Sequence, residues 1–355
     1  MAKIHCFVLS LTILSLAAWN VGAFQLNIGS KLKNGNAKTQ KSNLTFQPNW
    51  RNKMHNRVTS LHMVASYEDS ETLGGNQQTH TQSQPDLSAL VVKPGPLRIM
   101  FKGKAITFTG LCYLFWAFLW CGLSYPFLVP FWVWCLAFDR NCRCLVDEVV
   151  SIWARLSMLS MFYKPKVEGL ENLPPKDETV VFMANHQSFL DIFTLSGFLP
   201  RRFKYISKVE ILRIPLIGWA MNFAGHIAIQ RASVASQIQV FRDAIKSLKD
   251  GNSVCIFPEG SRTRDGRMLP LKKGPFTIAK RAGVRIVPVS LGELFRYNPP
   301  SAWLPLGIPK DAVLKIHPPI ETKGKSEAEV MELVRIAINS GLPDWQKAPS
   351  PTEKK

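Results

Sequence analysis

The sequence predicts an α/β protein: a largely parallel sheet covered by helices, preceded by an N-terminal hydrophobic helical segment that binds a membrane. Three observations predict it. From about residue 163 onward, short apolar runs alternate with amphipathic stretches, the pattern of strands joined by covering helices. A run of 34 uncharged residues, 105–138, stands before them. Polar residues gather at the ends of the apolar runs, where open α/β sheets place their ligands.

Along the chain, the first element is a leader. Lys3 precedes an apolar core from Cys6 to Ala18 and small residues around Val21, Gly22 and Ala23, the layout of a secretory signal peptide cut after Ala23. The core is short for a span, which needs about 20 apolar residues. From Gln25 to Tyr67 there are seven Lys or Arg and no Asp or Glu, among many Asn, Ser and Thr. That composition suits an organelle transit peptide and buries no core. A signal peptide followed by such a stretch, with Phe24 just past the cut, resembles the two-part address of algae whose plastids lie inside extra membranes. Residues 1–23 are therefore expected to be a signal peptide and 24–95 a transit peptide and disordered linker. The expected location is a plastid membrane, with the endoplasmic reticulum membrane as the alternative.

The uncharged run comes next, inside an expected anchoring segment of residues 96–162. Ala105 to Tyr125 is long enough to cross a hydrocarbon core as a helix. Pro126 and Pro130 argue against one continuous helix, since each removes a donor and disfavours helix before it. The expectation is one span, or two helices bent at the prolines. Trp116, Trp120, Trp132 and Trp134 suit the headgroup interface.

A sheet domain is expected over 163–342 and a disordered tail over 343–355. Candidate strands are TVVFMA, FKYIS, HIAIQ, SVCIFP, RIVPVSL and VLKIHP, and helical patterns occupy EILRIPLIGWAMNFAG, ASQIQVFRDAIKSLKDG and SEAEVMELVRIAINSG. In the second, Ile238, Phe241, Ile245 and Leu248 share a face and Gly251 stops it. The third opens with Ser326 and Glu329, a capping box.

Charge and motif content narrow the function. Forty-four Lys and Arg against 25 Asp and Glu give a formal charge of +19, which favours an anionic partner: nucleic acid, a lipid headgroup or a phosphorylated substrate. The basic residues form no nucleic-acid-binding motif. There is no GxxxxGK[ST], no HExxH and no GxSxG, so P-loop, zincin and nucleophile-elbow chemistry are not expected. Seven cysteines contain no CxxC pair, so neither a zinc site nor a disulfide framework is expected.

What remains lies at strand ends. His186 and Asp191 follow the first candidate strand in NHQSFLD. Ser188 and Asp191, three apart, form a helix-cap pattern, and that alone explains many such sequences. A carboxylate in the first turn can also accept from one imidazole nitrogen and leave the other free to take a proton. In FPEGSRTRDG, a turn at Gly260 places Glu259 beside Arg262 and Arg264, an acceptor for hydroxyls next to cations suited to phosphate. LKKGPF adds Lys272, Lys273 and Gly274, and Lys208 and Arg231 end two further strands. A base beside a phosphate clamp suggests a phosphorylated alcohol whose hydroxyl is deprotonated.

NHQSFLD, GHIAIQR, FPEGSRT and IVPV at 286–289 stand in the order and spacing of the glycerolipid acyltransferase motifs. The combination resembles the 1-acyl-sn-glycerol-3-phosphate acyltransferases over about residues 100–320. The resemblance implies His186 as general base, oriented by Asp191. It also implies Glu259 and Gly260 at the glycerol backbone, and Arg262, Lys208, Arg231 and Lys273 at the phosphate. Ser261 stands where the family has Thr and keeps the hydroxyl. The implied substrates are lysophosphatidate, bound among membrane lipids, and acyl-ACP or acyl-CoA as co-substrate, with no resident cofactor. Glycerol 3-phosphate or another lysophospholipid as acceptor, and an inactive lipid-binding protein, are the alternatives.

Overall fold

The computed structural model describes residues 90–95, 97–101, 104–230 and 234–348. The expected signal peptide, nearly all of the expected transit segment, Arg231 and the tail from residue 349 lie outside the described residues.

The first elements are a hairpin and a long helix. Strands β1 (Arg98–Phe101) and β2 (Lys104–Thr107) pair antiparallel and lead into α1 (Phe108–Phe138). Thr107 caps α1: its Oγ1 accepts from the Gly110 N–H at 2.9 Å and donates to the Pro305 carbonyl. The helix runs through Pro126 and Pro130 without a break, which corrects the expectation of an interruption. Each proline forfeits one donor, but 31 residues supply many other bonds, and tertiary contacts hold both sides of the prolines. Trp153 Nε1 donates to the Ala117 carbonyl at 2.8 Å, Tyr125 Oη to Leu216, and Trp132 stacks on Phe223 at 4.6 Å.

Only one stripe of α1 is buried, along Gly110, Tyr113, Ala117, Cys121, Leu128 and Cys135. Those positions recur at helical spacing, and Tyr113, Ala117, Leu128 and Cys135 join cores shared with α2 (Cys144–Leu159). Phe115, Leu123, Phe127, Val133 and Phe138 on the remainder are exposed. The helix is long and apolar enough to cross a membrane.

Seven strands form the sheet: β3 (Lys166–Glu168), β4 (Val180–Ala184), β5 (Lys204–Lys208), β6 (Ile227–Ile229), β7 (Val254–Ile256), β8 (Arg285–Gly292) and β9 (Val313–Ile316), in the order β3-β9-β8-β4-β7-β5-β6. Every neighbouring pair is parallel except β8–β9. The expected fold class is the observed one.

Strand β4 shows why the layers form. All five of its residues are buried, and alternate side chains enter opposite layers. Val180, Phe182 and Ala184 join a core with α1, α2 and α3 (Leu190–Phe198). Val181 and Met183 join a second core with α5 (Val234–Lys249), α6 (Lys273–Ala282) and α8 (Glu327–Ser340). A strand buried on both faces reads as a continuous apolar run, and burying each large side chain contributes about 1.5–3 kcal/mol.

Two helix expectations stand and one is corrected. Ser326 accepts from the Glu329 N–H as the cap of α8, and α5 covers the expected stretch. EILRIPLIGWAMNFAG is not one helix: a 3-10 turn at Ile211–Arg213 precedes α4 (Ile217–Ala224). Pro215 forces the break, and Gly218 lets the chain fold back, since a Cβ there would lie 2.0 Å from the Leu212 carbonyl oxygen. A short helix α7 (Leu294–Tyr297) follows β8. The packed chain also continues past 342: Asp344–Gln346 forms a 3-10 turn and Gln346 is buried, so the expected tail boundary falls too early.

At the start of β5, Lys204 is buried against Asp147 of α2, 2.6 Å apart, with side-chain exposures of 2% and 8%. Lys204 also donates to the Cys142 carbonyl. Burial pushes the Asp147 carboxyl up to about 7, against the pull of Lys204. Removing one partner strands a buried charge, so Lys204→Met is expected to cost about 3–5 kcal/mol, and Asp147→Leu/Lys204→Met should regain most of it. Thermal unfolding of the three proteins measures this.

Candidate active site

Strands β4 and β7 are adjacent and in register, Val181 opposite Val254 and Met183 opposite Ile256. Their C-terminal ends therefore release two loops side by side, although the residues involved are 73 apart in sequence.

The first loop is built around one carboxylate. Asp191, in the first turn of α3, is fully buried. Its Oδ2 accepts from the Gln187 N–H at 2.8 Å, from the Ser188 N–H at 2.9 Å, and pairs with His186 Nδ1 at 2.8 Å. The reach-back to Ser188 expected of a cap is present. Ser188 Oγ instead accepts from the Leu190 N–H and donates to Asn298 Oδ1. With Nδ1 engaged, Nε2 is the imidazole nitrogen left to exchange a proton. The side chain is 17% exposed, and Phe257 stacks on the ring at 4.0 Å and 17°.

The second loop clamps the first. Glu259 Oε1 accepts the His186 N–H at 2.8 Å and Oε2 accepts the Leu269 N–H at 2.9 Å. The Thr263 N–H donates to the His186 carbonyl at 3.0 Å. Both main-chain polar groups of His186 are thus held by FPEGSRT. Glu259 is 2% exposed, and burial raises its pKa to about 8 while the two N–H donors pull it down. Through these two bonds Glu259 joins the two loops.

Gly260, Arg262, Lys208 and Lys273 lie at or after the C-terminal ends of β5 and β7. Gly260 takes a positive φ of 74°, a conformation that favours glycine, and Lys272 crosses it, 3.1 Å from a Cβ built there. Lys208 ends β5, which pairs with β7, and is exposed. Lys273 opens α6 and is exposed; the adjacent Lys272 N–H bonds the Pro258 carbonyl. Arg262 is half-buried. Arg231 lies outside the described residues.

Several contributors had escaped the sequence. Asn185 ties the His186 loop to β8, donating to the Leu291 carbonyl and accepting the Leu291 N–H. Asn298 receives the Phe189 N–H, and Phe257 stacks on the imidazole. Asn185 and Phe257 are the first residues of NHQSFLD and FPEGSRT, which is the only local signal for them; Asn298 has none.

A family model described as Acyltransferase matches residues 164–292, which span both loops. A 1-acyl-sn-glycerol-3-phosphate acyltransferase of Chlamydomonas reinhardtii is 39% identical over 70% of this chain and 73% of its own length. The chain belongs to the 1-acyl-sn-glycerol-3-phosphate acyltransferase family. A chloroplastic family member from Brassica napus is 46% identical over 44% of this chain, which spans 45% of that relative. The crystal structure of the 1-acyl-sn-glycerophosphate (LPA) acyltransferase PlsC from Thermotoga maritima aligns with a TM-score of 0.57 at 30% identity, covering 66% of this chain and 92% of that one. The matched segment contains the bonded His186–Asp191 pair.

Two outcomes test the geometry. Asp191→Asn keeps the shape but loses the charge and the Nδ1–H acceptor, so kcat should fall by roughly 10²–10⁴, measured at saturating substrates. Glu259 holds its proton more tightly folded than unfolded, so its contribution to stability is complete below the ordinary carboxylate range and is lost as pH rises to about 8. Between pH 5 and 8 the melting temperature of the wild type should therefore fall relative to that of Glu259→Gln, read from paired melting curves.

Proposed function

We propose that the chain transfers an acyl group from an acyl thioester to the sn-2 hydroxyl of lysophosphatidate, giving phosphatidic acid. The observation that carries the proposal is the His186–Asp191 pair, with Nδ1 bonded and Nε2 left for chemistry. Names of the relatives support the acceptor: those from Chlamydomonas reinhardtii and Brassica napus are 1-acyl-sn-glycerol-3-phosphate acyltransferases.

The transfer is direct. Nε2 of His186 takes the hydroxyl proton as the acceptor oxygen attacks the thioester carbonyl. The new C–O bond forms, the tetrahedral centre collapses with loss of the C–S bond, and the imidazolium returns the proton to the departing thiolate. A positioned base supplies roughly 10²–10⁴-fold, and alignment of the two substrates supplies a further large share. No covalent enzyme intermediate is required. Ser188 and Cys255 are buried; neither is needed as a nucleophile.

The basic edge, Lys208, Arg262 and Lys273 with Arg231, would hold the phosphate. A lipid acceptor fits a chain with a 31-residue apolar helix whose outer faces are exposed, and we place the protein at a plastid membrane. The leader composition and the chloroplastic relative support that location. In that compartment acyl-ACP is the donor we favour over acyl-CoA.

Membranes carrying the full chain, offered lysophosphatidate, glycerol 3-phosphate and other lysophospholipids with each donor, test the reading. Transfer to lysophosphatidate should dominate, and His186→Ala should abolish it while membrane attachment and melting temperature persist. Near-normal transfer by that variant would sink the mechanism, and preference for glycerol 3-phosphate would overturn the acceptor.

A further inference from the structure

The segment after α8 makes contacts that a tail has no reason to make. Gln346 is 1% exposed, and a buried amide costs free energy unless its groups are bonded. Its Oε1 accepts the Glu293 N–H at 3.0 Å, its main-chain carbonyl accepts the Met268 N–H at 2.8 Å, and its Nε2 donates to Gln187 Oε1. Beside it, the Trp345 ring closes over Gly266, where a Cβ would lie 2.5 Å from Cζ3.

These bonds end at the two loops that hold the imidazole. Gln187 is the residue after His186, and its own N–H is one of the three donors on Asp191 Oδ2. Its side chain is fixed at three points: Gln346, the Phe295 N–H and the Leu291 carbonyl. Met268 precedes Leu269, whose N–H is held by Glu259. One glutamine about 160 residues downstream therefore grips the residue that follows His186, and also the far end of the clamping loop.

We propose that Gln346 is a positioning residue for acyl transfer, acting through Gln187 to hold the His186–Asp191 pair in line. The proposal rests on the general-base reading above. It places a determinant of the reaction beyond residues 164–292, the part the family model covers. Gln346 touches neither reacting group, so its effect should fall on the rate of the chemical step and not on acceptor binding.

The test uses the full chain in membranes with Gln346→Ala, the near-isosteric Gln346→Met, Gln187→Ala and the Gln187→Ala/Gln346→Ala pair. Both Gln346 variants should lose roughly tenfold to a hundredfold in kcat, with the acceptor KM within about twofold. The pair should be no slower than Gln187→Ala alone, because neighbours acting through one contact are not additive. Independently of turnover, the downfield proton resonance of the His186 Nδ1–H, recorded on detergent-solubilised protein, should broaden or move in both Gln346 variants. An unmoved resonance, or kcat losses that merely track the unfolded fraction, would overturn the inference. A wild type that acylates no acceptor would overturn the proposed function, and the resonance would still decide the role of Gln346.

Discussion

Three donors meet at one oxygen, and the site depends on that convergence. Asp191 is wholly buried at the first turn of α3, where an uncompensated carboxylate would carry a large desolvation cost. The cost is offset only if the chain from His186 to Ser188 wraps around it and presents two N–H groups and the imidazole. The same bonds that make the charge tolerable select the imidazole tautomer. Stability of the loop and readiness for proton transfer are one arrangement.

That arrangement is fixed from outside by strand order. Because β7 inserts between β4 and β5, the FPEGSRT loop emerges beside the loop that carries His186 and binds both main-chain polar groups of that residue. Glu259 gives up solvent to do so, and its raised pKa reflects that burial. A carboxylate placed to accept two main-chain donors makes a stiff joint, whereas one left open to water would be free to change partners.

The long helix shows how far tertiary contacts can override a local rule. Two prolines within α1 argue for a break, yet bonds and stacking from α2, α4 and the loop before α4 hold the helix along one stripe. Its exposed apolar faces are the surface that a lipid substrate would require nearby, and the hairpin before it adds Ile99, Met100 and Phe101, all exposed.

The sequence by itself determined the candidate strands, the cap of α8 and the adjacency of a histidine and an aspartate at a helix start. Each is written locally, as a short continuous apolar run, a pattern of period 3.6 or a spacing of a few residues, so no distant residue is needed to read it. The motif order was also enough to indicate the family. Tertiary structure alone decided the continuity of α1 through its prolines, the short strand β3 and the use of Glu259 as a joint. It also decided that Gln346 belongs to the site and not to a tail. Those features rest on hydrogen bonds between residues dozens to more than a hundred positions apart, and a pairing of that kind leaves no periodicity in either partner's surroundings.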